Sequence, residues 1–263
     1  MHETSKSKSK SKSKSRSRNG RQTGERARVN RNSTARHRAD IESCLIQRSK
    51  VMKKILAAFI FVLAIYSVNA ADKGKVVSLF DGKTFKGWEG DTNKTWRIEN
   101  GALVGGSLKE KVPHNDFICT VRSYSNFVLR LKFKLVGTEG FVNGGVQVRS
   151  KHVQDPPYEL SGYQIDMGDP EWWGCLYDES RRNKVVAKSN IAEVNKVLKR
   201  NDWNEYVIRC EGKRLRASLN GYQTFDYTEP DDAIPQFGII GLQVHGGGKT
   251  EASYKEITIE ELN

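Results

Sequence analysis

Residues 214–227 read RLRASLNGYQTFDY, and this stretch decides the fold class. Apolar and polar side chains alternate on both sides of Asn220-Gly221, with the period of two that is typical of β-strands. Asn-Gly is the strongest short signal for a hairpin, because both central residues of the two-residue turn need positive φ angles. The stretch therefore predicts two antiparallel strands, Arg214–Asn220 and Gln223–Tyr227.

Short alternating runs of the same kind occur on both sides of this hairpin, from residue 76 onward. Most are bounded by Gly, Asn, Asp or Pro, and they predict ten further strands: Val76–Phe80, Trp96–Glu99, Ala102–Gly105, Asp116–Thr120, Phe127–Leu135, Gly145–Arg149, Gly162–Met167, Glu205–Glu211, Gly238–Val244 and Ala252–Glu260. The one predicted helix, Asn190–Leu198, is short. Many short strands without strand–helix alternation predict an all-β domain, a two-sheet antiparallel sandwich.

Charge is unevenly distributed along the 263 residues, which carry 44 Lys+Arg, 31 Asp+Glu and a formal net charge of +13. Residues 1–51 hold 15 basic and 4 acidic side chains, Lys53 and Lys54 follow, and residues 71–263 hold 27 of each sign. Because residues 71–263 have no net charge, electrostatic binding of nucleic-acid phosphates is excluded as their main activity. No nucleic-acid partner is therefore expected for these residues. Its length predicts a single domain over residues 71–263.

The first seventy residues divide into two segments. Residues 1–51 are polar, with Ser alternating with Lys or Arg over 5–18, which predicts disorder; a basic arm for nucleic acid is the alternative. Residues 52–70 are organised as a signal peptide: Met52-Lys53-Lys54, an apolar run shorter than a membrane span, and small residues at its end. We expect that translation starts at Met52, which makes residues 1–51 a mis-called start. We also expect export to the periplasm or the extracellular space, without a stable membrane anchor.

Three cysteines fall in the predicted domain, Cys119, Cys175 and Cys210, at spacings that fit no zinc or redox motif. The sequence predicts that they are buried within strands. One disulfide with one remaining thiol is the alternative in an oxidising compartment.

Polar side chains break the core pattern on three of the predicted strands. In each, aliphatic residues mark one face and the intervening residues point to the other. The six side chains on the non-core faces are Gln147, Arg149, Gln164, Asp166, Gln243 and His245. If the three strands share a sheet, the six form one polar surface. Amide, guanidinium, carboxylate and imidazole groups together suit the hydroxyl pairs of a sugar; an ordinary solvated sheet face is the alternative.

Two adjacent tryptophans and a run of charges follow the strand of Gln164 and Asp166. Trp172 and Trp173 lie beside Gly and Pro in a predicted loop, where their flat faces suit the C–H face of a pyranose ring; alternatively, one of them closes the end of the sandwich. Residues 178–183, DESRRN, are either a solvated charge run or part of a site.

The sequence has no E-x-D-x-x-E triplet of a retaining glucanase, no G-x-S-x-G and no H-E-x-x-H.

Several segments together resemble the 3-keto-disaccharide hydrolase domain family. They are residues 79–83 (LFDGK) with Gly87-Trp88, 145–150 (GVQVRS), 162–166 (GYQID), 173–183 (WGCLYDESRRN), Trp203-Asn204 and 241–248 (GLQVHGGG). The similarity covers about residues 76–262. It implies a concanavalin A-like jelly roll, secretion, and cleavage of glycosides already oxidised at carbon 3. The chain departs from many members at Val128 and Lys132, where they have acids.

The resemblance also suggests a mechanism, because a ketone at carbon 3 acidifies the proton on carbon 2. Proton abstraction there expels the leaving group from carbon 1, and water adds afterwards. Asp166 or His245 is the expected base, since either proton role is open to His near neutral pH. Arg149, with Gln147 or Gln243, is expected to hold the oxyanion.

The remaining expected roles concern the leaving group and the sugar. Asp178 or Glu179 would protonate the leaving group, or would bind a divalent metal ion if one takes part; no cofactor is otherwise expected. The remaining expected contacts with an oligosaccharide or glycoside are Gln164, Trp172, Trp173, Tyr177 and Arg182. A carbohydrate-binding, lectin-like protein without chemistry is the alternative from another class.

Overall fold

The computed structural model describes residues 74–263. The predicted segments 1–51 and 52–70 lie outside the described residues. Within residues 74–263 no helix is long and apolar enough to cross a membrane.

The described residues form fifteen strands and one helix, nearly all of them connected by short turns. The strands are β1 (Val76–Ser78), β2 (Trp88–Glu89), β3 (Trp96–Glu99), β4 (Ala102–Ser107), β5 (Asp116–Thr120), β6 (Phe127–Gly140), β7 (Asn143–His152), β8 (Leu160–Gly168), β9 (Leu176–Glu179), β10 (Lys184–Ala187), β11 (Asn204–Glu211), β12 (Arg214–Leu219), β13 (Tyr222–Thr228), β14 (Ile239–Val244) and β15 (Gly248–Glu261), and the helix is α1 (Ile191–Val197).

The strands form two antiparallel sheets. One has eight strands, in the order β13-β12-β11-β6-β15-β4-β3 with β1 beside β15; the other has seven, in the order β10-β9-β8-β7-β14-β5-β2. The hairpin that decides the fold class joins β12 and β13, and Asn220 and Gly221 have φ angles of 47° and 85°. The predicted two-sheet sandwich is confirmed.

The core lies between the two sheets. On β6 the buried side chains of Leu129, Leu131 and Phe133 alternate with polar residues, as the sequence pattern predicts. The inward residues of β7 and β8 belong to the same hydrophobic cluster. Each large aliphatic or aromatic side chain buried there contributes about 1.5–3 kcal/mol of transfer free energy, so this cluster holds the sheets together.

The predicted elements differ from the observed ones mainly at their ends. The helix is confirmed, with Asn190 as its N-cap and Leu198 as its C-cap. Three strands were not predicted, β2, β9 and β10. The sequence of β9 predicts the end of a loop and the start of a charge run, because its alternation spans only four residues.

A bulge in β7 redirects the tip of the β7–β8 hairpin. Arg149 has a φ of 52°, and the register with β8 shifts between Val148 and Lys151. Bulges of this kind bend a strand and increase its twist. The hairpin tip, residues 151–161, therefore folds over the outer face of the seven-stranded sheet, where Leu160 lies against Gly241 and Glu159 accepts a hydrogen bond from Asn115.

Candidate functional site on the outer face of the seven-stranded sheet

Four of the predicted polar side chains meet on the outer face of neighbouring strands β8, β7 and β14. Gln147 is paired with Gln164 across the β7–β8 ladder, and Gly145 is paired with Asp166 on one side and Gln243 on the other. The Gln164 Nε2 donates to Asp166 Oδ1 at 2.6 Å and to Gln243 Oε1 at 3.1 Å. Gly145 is required here, because a Cβ at this position would lie 2.6 Å from the Gln164 side chain. We call Gln147, Gln164, Asp166 and Gln243 the polar floor.

The polar floor is buried although it faces away from the core. Gln147 and Gln243 are 0% exposed and Asp166 is 3% exposed. Among the described residues, Gln147 Nε2, Gln164 Oε1 and Gln243 Nε2 have no hydrogen-bond partner. A buried polar group without a partner costs about 1–3 kcal/mol, so the floor has donors and an acceptor to offer a polar ligand.

Asp166 is the acid of the polar floor, and the pKa of its carboxyl is strongly shifted. Burial raises the pKa of its carboxyl to about 8, and the hydrogen bonds from Gln164 and from the Cys175 thiol oppose this only in part. The Cys175 Sγ lies 3.4 Å from Asp166 Oδ2. With a pKa near 8, the carboxyl is mainly protonated at neutral pH and can donate a hydrogen bond.

His245 follows β14 directly, on the same face as Gln243. Its Nδ1 lies 2.7 Å from the carbonyl oxygen of Gly246, so Nδ1 carries the hydrogen in the neutral ring. No described residue hydrogen-bonds to Nε2. Burial lowers the pKa of the imidazole below its ordinary 6.5. The ring is therefore neutral at pH 7, with the lone pair of Nε2 available to accept a proton.

A row of aromatic rings extends from His245 to β9. Phe141 meets the His245 ring at 4.7 Å between centroids, Trp172 lies 6.3 Å from Phe141, and Tyr177 lies 6.0 Å from Trp172. A cavity of about 570 Å³ opens beside Trp172, with Cys175 in its lining. Its volume is within the range of small-molecule sites, and Cys175 in its lining also contacts the Asp166 carboxyl.

Glu179 lies on the same face, on β9 opposite Gly162 of β8. Burial, and next the nearby Glu159, raise the pKa of its carboxyl to about 7. Glu159 belongs to the hairpin tip, and burial raises its pKa as well. Glu179 therefore exchanges a proton near neutral pH, as a general acid or base must.

The prediction that Arg149 shares a face with Gln147 is wrong. The bulge at Arg149 breaks the period of two, and its guanidinium instead donates to the carbonyl oxygens of Ser125 and Gly212 and to the Gln236 side chain. These partners lie outside the polar floor. Arg149 fixes the bend of β7 and does not reach an oxyanion on the polar floor.

Asp178 and Arg182 are also placed away from the floor. Asp178 is opposite Tyr163, whose side chain points into the core, and its carboxylate is paired with Arg181 and Arg182. Arg182 Nη2 in turn donates to Glu229 at 2.7 Å. Asp178, Arg181, Arg182 and Glu229, with the hydroxyl of Tyr163 on Glu229, form an ion network that joins the two sheets.

The two tryptophans have different environments. Trp173 is buried in the main core, 6.4 Å from Phe133 between ring centroids, and donates to Asp169. The predicted sugar contact of Trp173 is therefore wrong, and this ring closes the end of the sandwich. Trp172 is half-buried and lines the 570 Å³ cavity. Tyr177 faces the same side as Gln164, its partner on β8.

Sequence reasoning missed Phe141, Cys175 and Glu159. Phe141 lies in the β6–β7 turn, and only its large apolar side chain beside a turn could have drawn attention to it. The sequence predicts Cys175 as a buried strand residue, with a disulfide as the alternative; it is buried and unpaired, but it lies just before β9 and not within a strand. All three described cysteines are buried and unpaired, and burial raises the thiol pKa of Cys119 and of Cys210 to about 12.

The metal alternative has no preformed site in the described part of the chain. Residues 74–263 contain no group of three His, Cys, Asp or Glu side chains placed to hold a metal ion. Asp178, one of the two expected ligands, is occupied by two arginines, as described above.

The two antiparallel sheets form a jelly-roll β-sandwich of the concanavalin A-like class. A family model described as the 3-keto-alpha-glucoside-1,2-lyase-like domain matches residues 75–260. The chain belongs to this family, which confirms the resemblance seen in the sequence. No curated protein matches the chain.

Solved structures share the fold. A candidate glycosyl hydrolase from Parabacteroides distasonis is 25% identical over 72% of this chain and 100% of that chain, with a TM-score of 0.52. A second one from the same organism is 21% identical over 72% and 94%, with a TM-score of 0.55. The carbohydrate-binding module CBM66 from Bacillus subtilis is 19% identical over 66% and 96%, with a TM-score of 0.51.

Proposed function

We propose that the chain cleaves the glycosidic bond of 3-keto-glycosides by elimination across carbons 1 and 2, followed by hydration. One observation carries the proposal: a neutral imidazole with an available Nε2 and a buried carboxyl of raised pKa lie on one face of the same sheet. Environments that push two titratable groups in opposite directions are typical of acid–base sites. The name of the family, a 1,2-lyase-like domain, agrees with this chemistry.

In the first step His245 Nε2 takes the proton from carbon 2. The electron pair of the C–H bond moves into the ring, and the oxygen on carbon 3 becomes an enolate. The protonated carboxyl of Asp166, with the amides of the polar floor, donates hydrogen bonds to this oxygen. The Asp166 carboxyl and these amides thus stabilise the oxyanion, which is the role that the sequence suggested for Arg149. Donors fixed before the reaction stabilise such charge without a reorganisation cost.

In the second step the enolate collapses, the C1–O bond breaks and a C1=C2 double bond forms. Glu179, whose pKa is about 7, gives its proton to the departing oxygen. Water then adds across the double bond: hydroxide equivalent to carbon 1, and a proton to carbon 2 from His245, whose N–H has exchanged with solvent after the leaving group departs. The net change is hydrolysis, and both residues return to their starting protonation states once Glu179 recovers a proton from water. Trp172 and Tyr177 would stack on the sugar.

A 4-nitrophenyl 3-keto-glucoside tests the proposal. His245→Ala and Asp166→Ala should each lower turnover by about 10²–10⁴-fold, whereas the exposed-site control Asp226→Ala should not. Turnover in ²H₂O should place deuterium on carbon 2 of the product. Unchanged turnover in both variants, or product without deuterium, contradicts the mechanism.

The leaving-group role has its own test. Glu179→Gln should slow release of methanol from the methyl 3-keto-glucoside by at least about 10-fold, and it should slow release of nitrophenolate much less. Nitrophenolate is a stable anion that needs no proton, so equal effects on both substrates would exclude Glu179 as the acid.

The lectin-like alternative is supported by the predominance of neutral amides on the floor. It predicts sugar binding that survives Asp166→Asn, together with no release of nitrophenol by the unmodified chain. Calorimetric titration beside the turnover assay separates the two functions. If residues 52–70 direct export, as the sequence predicts, the reaction takes place outside the cytoplasm.

A further inference from the structure

A second cavity, of about 320 Å³, lies on the same outer face but on the other side of the hairpin tip. Its floor is apolar and consists of Phe117, Cys119 and Leu160, which form a small hydrophobic cluster separate from the main core. Phe117 and Cys119 face outward because they are paired with Gln243 and Gly241 of β14. The apolar floor of this cavity is therefore formed mainly by residues of the sheet itself.

One wall of this cavity is an aromatic ring in a fixed orientation. The rings of Tyr158 and His114 are stacked at 4.0 Å between centroids, with 16° between their planes. Asn115, next to His114, donates to Glu159, next to Tyr158, at 2.9 Å. Tyr158 nevertheless remains 41% exposed. His114 covers one face of the Tyr158 ring, and the rest of the ring surface is available to a ligand.

Other residues of the lining supply hydrogen-bonding groups. Glu89 and His152 line the cavity and lie 3.5 Å apart, and more than half of each side chain is exposed. Asp91 also lines it. Carboxylates without an arginine or lysine in the cavity lining accept hydrogen bonds from hydroxyl groups and repel anions. An apolar floor, a flat aromatic wall and carboxylate acceptors together suit a neutral sugar ring.

We propose that this cavity is a second carbohydrate-binding site, which takes a neutral pyranose residue of a longer glycan. It is separate from the proposed catalytic site. None of its lining residues belongs to the polar floor, but the two lie side by side, because Phe117 is paired with Gln243 on the neighbouring strand β14. A glycan of several residues that is held in the second site therefore has a path past the hairpin tip to the polar floor.

Direct binding decides this proposal, independently of turnover. The probes are unoxidised, neutral hexasaccharides of the gluco, manno and xylo series, titrated calorimetrically into the full chain. At least one should bind, and Tyr158→Ala should weaken that binding at least about 5-fold, whereas Tyr158→Phe should stay within about 2-fold, since the aromatic face is kept.

Two further variants exclude indirect effects. Glu89→Ala lies outside the hairpin tip and should also weaken binding, by about 3-fold or more. Phe237→Ala, at another exposed aromatic residue, should have no effect, and neither should His245→Ala. Absence of binding by all three series overturns the proposal, and so does binding that is unchanged in both Tyr158→Ala and Glu89→Ala. Loss of turnover in His245→Ala with hexasaccharide binding retained shows that the two sites are distinct.

Discussion

The polar floor and the ion network are both buried and polar, but they differ in how their groups are paired. In the ion network all four carboxylate oxygens of Asp178 and Glu229 accept hydrogen bonds from arginine, tyrosine or backbone groups. In the polar floor three amide atoms have no partner in the described chain, and one carboxyl is held protonated by burial. Carboxylates whose oxygens are all paired indicate a structural role. Incomplete pairing indicates a surface prepared for a ligand.

The largest expected effect comes from breaking the ion network. Asp178→Ala leaves Arg181 and Arg182 without their carboxylate, and removing one partner of a buried pair costs about 3–5 kcal/mol of the free energy of unfolding. The matched control is Asp226→Ala, which removes the partner of Arg214 at an exposed pair and should cost at most about 1 kcal/mol. Urea denaturation measures both. Equal losses would remove the distinction between the two pairs.

The two regions should also respond to pH with opposite signs. The Asp166 pKa is about 8 in the fold against an ordinary 3.8. Between these values the folded state binds more protons than the unfolded one, so stability falls as pH rises, by on the order of 1.4 kcal/mol per pH unit. Glu179 acts in the same direction up to about pH 7.

For Glu229, burial alone would raise the pKa, but hydrogen bonds from Arg182 and Tyr163 lower it to about 2, against an ordinary 4.5. Its stabilisation is complete above pH 4.5 and is lost as the pH falls toward 2. Denaturation between pH 2 and 9 measures both contributions. Asp166→Asn should flatten the upper range and Glu229→Gln the lower one; an unaltered upper slope in Asp166→Asn would mean that its pKa is not raised.

The smallest expected effect is the most direct test of incomplete pairing. Gln147→Leu removes a buried amide whose Nε2 has no partner in the described chain and whose Oε1 accepts only from Ser150. Unfolding free energy should change by less than about 1 kcal/mol. Asn204→Leu removes a buried amide that makes four hydrogen bonds and should cost more than about 2 kcal/mol. A larger loss for Gln147 would reverse the interpretation of the polar floor.

The sequence predicts the sandwich and most of the polar floor for one reason. Along a regular strand the period of two assigns each side chain to a face, so Gln147, Gln164, Asp166 and Gln243 follow from their aliphatic neighbours. The same rule fails at Arg149, because a positive φ at a residue other than glycine is not visible in the sequence. The roles of this arginine and of the floor amides could be separated only by the structure.

The charge run shows a second limit of the sequence. Asp178 and Glu179 are adjacent acids and look equivalent, but they lie on opposite faces of β9, so one is in the ion network and the other faces the polar floor. Had β9 been predicted as a strand, the alternation would have separated them. Trp172 and Trp173 differ in the same way, and the loop that contains them has no periodicity to separate them.

The bend at Arg149 has a consequence for how relatives of this protein could diverge. It makes residues 151–161 a wall of the 320 Å³ cavity, while the residues of the polar floor stay on regular strands. An exchange of this short insert, anchored by the arginine at one end and Leu160 at the other, would change the lining of that cavity without moving Asp166 and Gln243, which lie on β8 and β14.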